Sequence, residues 1–177
     1  SSTGGWQRFE YSLGNYINEE ISLDLQFTKY GYNYWYVDDI TVKGIGKTGI
    51  KISDANLSLI NSTVSNCSSG IILRDSQSNI KNCVITGNSG FGIMSDQSQT
   101  ELINSIVYSN ALSDPDGIQI NNLSGSISIS YSCIQNLSTT GVDGSWSDGG
   151  NNIESSPYFT DELFHLDPLL SPCIDSG

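Results

Sequence analysis

Three aspartates at a near-constant stride offer the first chemistry this chain could perform. Asp54, Asp75 and Asp96 stand 21 residues apart, each four or five positions after a Gly-Ile pair. If successive copies of that phrase stack, the carboxylates form a vertical acidic file with Arg74 beside the middle one. Such a file suits a ladder of calcium ions or a carboxylate pair for sugar hydrolysis. A lyase acting on acidic sugars would need in addition a base for the proton α to the sugar carboxylate. The repeat holds only Arg74, Lys47, Lys51 and Lys81 as basic residues. The same three aspartates also suit solvated bends, where Asp is a preferred turn former, and this is the favoured reading.

Other reactive residues are sparse. The single histidine, His165, has no nearby nucleophile phrase such as G-x-S-x-G and reads as an edge residue. Asp114-Pro115-Asp116-Gly117 lacks the spacing of a calcium loop and reads as a turn. Tyr30, Tyr32, Tyr34 and Tyr36 share one parity around Trp35, a strip that could stack on sugar rings or bury in a core or subunit contact. Asn56, Asn61, Asn66, Asn122 and Asn136 each open an Asn-x-Ser/Thr sequon, close to the number that chance produces in so Ser-rich a chain. The cysteines are Cys67, Cys83, Cys133 and Cys173. Their spacing fits no zinc motif, and the residues alone leave three connectivities open, or four buried thiols.

Composition narrows the class. A net charge of -12, with seven Lys plus Arg, speaks against nucleic acid and anionic membranes as partners. No apolar run is long enough to insert in a bilayer as a helix. Ser1 reads as the start of a mature or excised piece. An even cysteine count in a Ser/Asn/Gly-rich chain points to an extracellular or cell-surface setting.

The elements that must position these residues announce themselves as a repeat. Gly49-Ile50, Gly70-Ile71, Gly92-Ile93 and Gly117-Ile118 open four copies spaced 21, 22 and 25 residues apart. A fixed period in this range marks a solenoid. Three apolar columns recur: Ile50/Ile71/Ile93/Ile118, Leu59/Ile80/Leu102/Ile127 and Val64/Ile85/Val107/Ile134. Three inward positions per copy predict three short strands per turn, paired in parallel with their neighbours. Asn61/Asn82/Asn104 and Asn66/Asn88/Asn110/Asn136 then fall at bends, where Asn tolerates left-handed backbone and its amide can bond between coils. The expected fold is all-β: a short right-handed parallel β-helix of about four coils over 45–137, preceded by a partial antiparallel β-sandwich.

Residues 1–44 carry that sandwich reading. Trp6 to Tyr11, the alternating Ile21 to Phe27, and Tyr34 to Val42 read as three strands with one apolar face. With Trp6, Leu13, the run ISLDLQF and the ending WYVDDITV, the segment resembles the closing strands of jelly-roll or MAM-like domains of secreted bacterial proteins. That resemblance implies a structural calcium ion beside Asp38 and Asp39. Residues 138–177 read as an irregular Gly/Asp-rich loop, GVDGSWSDGGNN, followed by a closing coil. Tyr131 to Ile134, Pro157 to Phe159, Phe164 to Leu166 and the ending SPCIDSG resemble the last coil of secreted bacterial right-handed β-helix repeat proteins. This second resemblance implies a Cys133–Cys173 disulfide and leaves Cys67 and Cys83 free.

Two functions are compatible with these readings. The first is a non-catalytic extracellular structural or surface module. Its incomplete N-terminal sheet would be completed by a longer parent chain or by another copy, the latter joining copies head to tail into a filament. The alternative is a β-helix module that binds or cleaves polysaccharide.

Overall fold

Sixteen short strands of the described residues wind into a stack of parallel rungs in the computed structural model. It describes the backbone of 34–38 and 41–43 and all of 48–112 and 117–174. These residues belong to one compact unit, Tyr32–Gly177. Three sheets run its length. Sheet A stacks β1 (Tyr34–Asp38), β4 (Asn56–Ile60), β7 (Gln77–Lys81), β10 (Ser98–Ile103), β13 (Gly125–Ser130) and β16 (Trp146–Asp148). Sheet B stacks β2 (Thr41–Lys43), β5 (Thr63–Ser65), β8 (Val84–Thr86), β11 (Ile106–Tyr108) and β14 (Cys133–Ile134). Sheet C stacks β3 (Thr48–Ser53), β6 (Ser69–Arg74), β9 (Ile93–Asp96), β12 (Ile120–Asn122) and β15 (Val142–Asp143). The four repeats expected from the sequence are β3–β5, β6–β8, β9–β11 and β12–β14, each visiting sheets C, A and B in turn.

The alternation of side chains along each strand explains the core. In β7, Ser78 and Ile80 turn inward while Gln77, Asn79 and Lys81 face outward or sit at the margin. Stacked inward positions become continuous columns. Val64, Ile85, Val107 and Ile134 pair in register as the sequence implies, and each is fully buried. Removing such a side chain from water contributes about 1.5–3 kcal/mol, and a single rung has no partner to supply that burial.

Two columns are corrected in the fourth repeat. Ile93 pairs with Ile120, so Ile120 and not Ile118 continues the first column. Leu102 pairs with Ile129, so Ile129 and not Ile127 continues the second. The physical cause is the two-residue periodicity of a strand: a shift by two keeps every side chain on its face, so the apolar pattern accepts either register.

The ends of the stack also depart from expectation. Tyr34 to Val42 does not form one antiparallel strand. It divides into β1 and β2, which pair in parallel with β4 and β5. Trp35, Val37 and Val42 thereby take the register of Leu57, Leu59 and Val64. The two residues between β1 and β2 match in number the Asn61-Ser62 bend between β4 and β5, so the stretch has the length of a coil. The strands expected over Trp6–Tyr11 and Ile21–Phe27 lie outside the described residues. At the other end, GVDGSWSDGG is not an irregular excursion: it supplies β15 and β16. Gly144 serves close approach, because a Cβ there (φ 85°) would collide with the Asn122 carbonyl. Val142 and Trp146 pack against the core from this last rung.

Candidate functional site

The acidic file does not assemble as three carboxylates. Asp54 and Asp75 share a bend, both in left-handed backbone (φ 55° and 46°). The left-handed residue at that bend in the next coil is Gln97 (φ 49°). Asp96 falls one place earlier, inside β9, paired with Arg74. A copy spacing of 22 against an aspartate spacing of 21 explains the slip: Asp54 and Asp75 follow their glycines by five residues, Asp96 by four. A one-residue slip moves a side chain to a different place on the coil, so stride alone does not make a file. Among the described residues, no group of three or more His, Cys, Asp or Glu side chains could hold a metal ion.

What this corner does form is a groove. It has a volume of about 440 Å³ and is lined by Asn56, Asp75, Ser76, Gln77, Gln97 and Gln99. Asn56, Gln77 and Gln99 stand in one register column at the start of β4, β7 and β10. Asp75 and Gln97 form a second column at the preceding bend. The floor is held by hydroxyls: Ser76 and Ser98 bond to each other at 3.2 Å, and the Ser76 amide donates to Ser98 Oγ at 3.1 Å. The glutamines were not singled out in the sequence. Gln77 and Gln99 recur 22 residues apart, the period of the repeat, and that signal was available.

The asparagine bends divide into two systems. Asn61, Asn82 and Asn104 are all left-handed and exposed, and their amides interlock. Asn82 Nδ2 donates to Asn61 Oδ1 at 3.1 Å, and Asn104 Nδ2 to Asn82 Oδ1 at 2.9 Å. The second expected column splits. Asn66 and Asn136 sit at left-handed bends (φ 57° and 56°), whereas Asn88 and Asn110 turn inward and are buried. Asn110 Oδ1 accepts from the Asn88 amide (3.2 Å) and Asn88 Nδ2 (2.8 Å). Asn110 Nδ2 donates to the Ile85 carbonyl (2.9 Å) and Gln119 Oε1 (3.0 Å). Cys67 occupies the equivalent place in the coil before, its amide donating to Asn88 Oδ1 at 2.9 Å.

The cysteines sort by environment. Cys67 and Cys83 are buried in the core, their thiols directed at the Ser65 and Lys81 carbonyls (3.3 and 3.1 Å). Cys133 in β14 and Cys173 in the C-terminal segment are both thiols in this structure and lie close together on one cleft wall, the Cys133 thiol donating to the Ser155 carbonyl at 3.1 Å. Interaction with Cys133 draws the Cys173 thiol down to about 7, while interaction with Cys173, together with burial, pushes the Cys133 thiol upward. A cleft of about 240 Å³ reaches the pair past Asn82, Asn104, Tyr131 and Leu166.

The remaining candidates are scattered. His165 is exposed, with Nδ1 at 2.6 Å from Asp161 Oδ2, and this contact holds the Asp161 carboxyl below its usual range. Among the sequons, Asn61 and Asn66 are exposed and Asn56 and Asn136 half-buried. Asn122 is buried, its Nδ2 donating to the Ser145 carbonyl at 2.6 Å, which removes it as an accessible acceptor. Tyr34, Trp35, Tyr36 and Asp38 lie in β1, where Tyr34 takes the register of Asn56. Tyr30, Tyr32, Asp39 and Asp114–Asp116 lie outside the described residues.

The sequence model described as "Right handed beta helix region" matches residues 30–156. The chain belongs to that family. The right-handed β-helix match begins before β1 and ends after β16, in keeping with Tyr34–Lys43 as part of the solenoid. No curated protein and no solved structure matches this β-helix.

Proposed function

We propose that this β-helix is a non-catalytic structural or surface module of an extracellular protein. One observation carries the reading: the asparagine and serine side chains that recur along the stack are engaged in bonds between rungs. Asn61–Asn82–Asn104, Asn88–Asn110–Gln119, Ser76–Ser98 and Ser105–Ser132 all join one coil to the next or close its bend. Such bonds make the stack stiff along its axis, which is what a spacer or surface scaffold requires. The test is turnover by the native protein on a panel of neutral and acidic polysaccharides, with and without calcium. Turnover that disappears in Asp75→Asn would overturn the reading.

Three further elements belong to this proposal. A Cys133–Cys173 disulfide would tie the C-terminal segment to the last rung of sheet B, and the closeness of the two thiols supports it. Closing a loop of about 40 residues contributes roughly 3–4 kcal/mol in the chain-entropy account. Calcium at Asp38 and Asp39 would raise the melting temperature in calcium over EDTA. Self-association of the module into filaments would appear as species growing with concentration in light scattering and negative-stain images, and a monomer at every concentration would remove it.

A further inference from the structure

We propose that the C-terminal segment is a redox-latched strap: a small-molecule disulfide oxidises Cys173 and Cys133 and fastens the segment over the outer face of sheet B, and reduction releases it. This latch rests on the Cys133–Cys173 pairing proposed above and adds a moving part and the chemical class of its trigger. The face beneath the strap is apolar. Val64, Ile85, Val107 and Ile134 fill the interior, so alternation turns Val84, Ile106 and Cys133 outward, in one register column. A parallel bridge from Cys133 to Ile153 carries that column one rung further. Yet Cys133 is 3% exposed, and Val84 and Ile106 are half-buried. Leu166 and Cys173, from the end of the same chain, share one cleft with all three.

The path of that end makes it a strap. It leaves the stack at Ile153, beside Cys133, runs through a hairpin closed by the Phe159–Leu166 bridge, and returns at Cys173. The hairpin holds itself together. Thr160 N–H donates to the His165 carbonyl and Asp167 N–H to the Tyr158 carbonyl, while Phe159 and Phe164 pack edge to face at 5.3 Å. Its near end is pinned by the Ile153 bridge and by the Cys133 thiol on the Ser155 carbonyl. Its far end is fastened by the sulfur pair. Exposure sets the order of reaction. Cys173 is half-buried and its thiol is drawn down to about 7, so its thiolate attacks the small disulfide first, forming a mixed disulfide and releasing one thiolate. Cys133 then gives its proton to that thiolate, attacks the Cys173 sulfur and displaces the second thiolate. Two protein thiols become one disulfide, and the reagent's disulfide becomes two thiols.

The test compares the full chain reduced with dithiothreitol, then freed of it, with the chain treated with oxidised glutathione. Thiol titration of denatured samples fixes the state of each. Chymotrypsin should cut after Phe159, Phe164 or Leu166 about tenfold or more faster in the reduced protein, because cleavage follows the population of the lifted segment. A soluble paramagnetic probe should broaden the Val84 and Ile106 methyl signals more in the reduced state and leave Ile85 and Val107, inside the stack, unchanged. Cys173→Ser in oxidised glutathione should behave as the reduced native chain, with the rung amides at their native positions. In Cys133→Ser, glutathione should be recovered on the Cys173 peptide. A disulfide that forms while cleavage and methyl broadening stay equal in the two states would overturn the strap and leave the pairing standing. Four free thiols after oxidised glutathione would remove the pairing, and the strap with it.

Discussion

Removing the carboxamide of Asn110 should destabilise the protein far more than removing that of Asn82, although both belong to rung-to-rung ladders. Asn110 is 3% exposed, and its side chain serves five partners: the Asn88 amide, Asn88 Nδ2, the Ile85 and Tyr108 carbonyls and Gln119 Oε1. In Asn110→Ala two buried donors on Asn88 lose their acceptor. Each buried group left without a partner costs about 1–3 kcal/mol, so the total is roughly 2–6 kcal/mol. Asn82 is exposed and has two amide neighbours, which water replaces. Its backbone is left-handed at φ 53°, so the fitting substitution is Asn82→Gly, which adopts that conformation without strain. Its cost should stay below about 1 kcal/mol. For a unit of this size these values convert to a melting-point loss of roughly 10 °C against about 2–3 °C. Urea unfolding and calorimetry on both variants would measure the difference. The calorimetric and van't Hoff enthalpies must agree for the comparison to hold, because a repeat array can unfold in parts. Equal losses, or a loss below about 1 kcal/mol for Asn110→Ala, would refute the premise that burial sets the worth of these ladders.

Gly70→Ala should cost about 1–3 kcal/mol by overpacking, measured by the same unfolding curves. The new Cβ would stand 2.5 Å from the Gly92 carbonyl oxygen and 3.0 Å from Asn88 Nδ2. Thiol titration of denatured protein prepared under oxidising conditions should find two free thiols, with a C-terminal peptide linked to the Cys133 peptide; four thiols would remove the disulfide. In reduced protein, iodoacetamide labelling of Cys173 should rise as pH passes through about 7, because the thiolate is the nucleophile and Cys133 stabilises it. A midpoint near 8.5–9, the ordinary thiol range, would mean that the contact is not present in solution. Glycopeptide mapping of folded protein secreted from a eukaryotic host should find sugar at Asn61 or Asn66 and none at Asn122, whose side chain is buried.

Much of the molecule was legible from residue spacing. The period predicted a three-sided parallel solenoid, and the Val64/Ile85/Val107/Ile134 column was read without error because its copies keep a constant distance from the preceding bends at Asn61, Asn82, Asn104 and Tyr131. The fourth repeat was misaligned because the 25-residue spacing hides where the extra residues lie. Gln119 stands where the earlier copies have glycine, its carbonyl meeting Gly92, so a search for Gly-Ile selects Gly117 instead. β1 and β2 were assigned to another fold because an apolar alternation does not say whether its partner strand runs parallel or antiparallel.

The sequence by itself determined the periodicity, the inward faces of most strands, and the bends at Asn61, Asn82 and Asn104. These follow from local rules, namely side-chain alternation and left-handed tolerance, which act within a few residues. The tertiary structure decided which polar residues meet: Gln97 rather than Asp96 beside Asp75, Gln119 above Asn110, and Cys173 against Cys133. Those neighbours lie on different rungs or segments, and their meeting is set by the register of strand pairing and by the path of the C-terminal chain. Side-chain alternation is blind to a two-residue shift, so only the interlocked backbone and amide bonds of the folded stack choose among the registers.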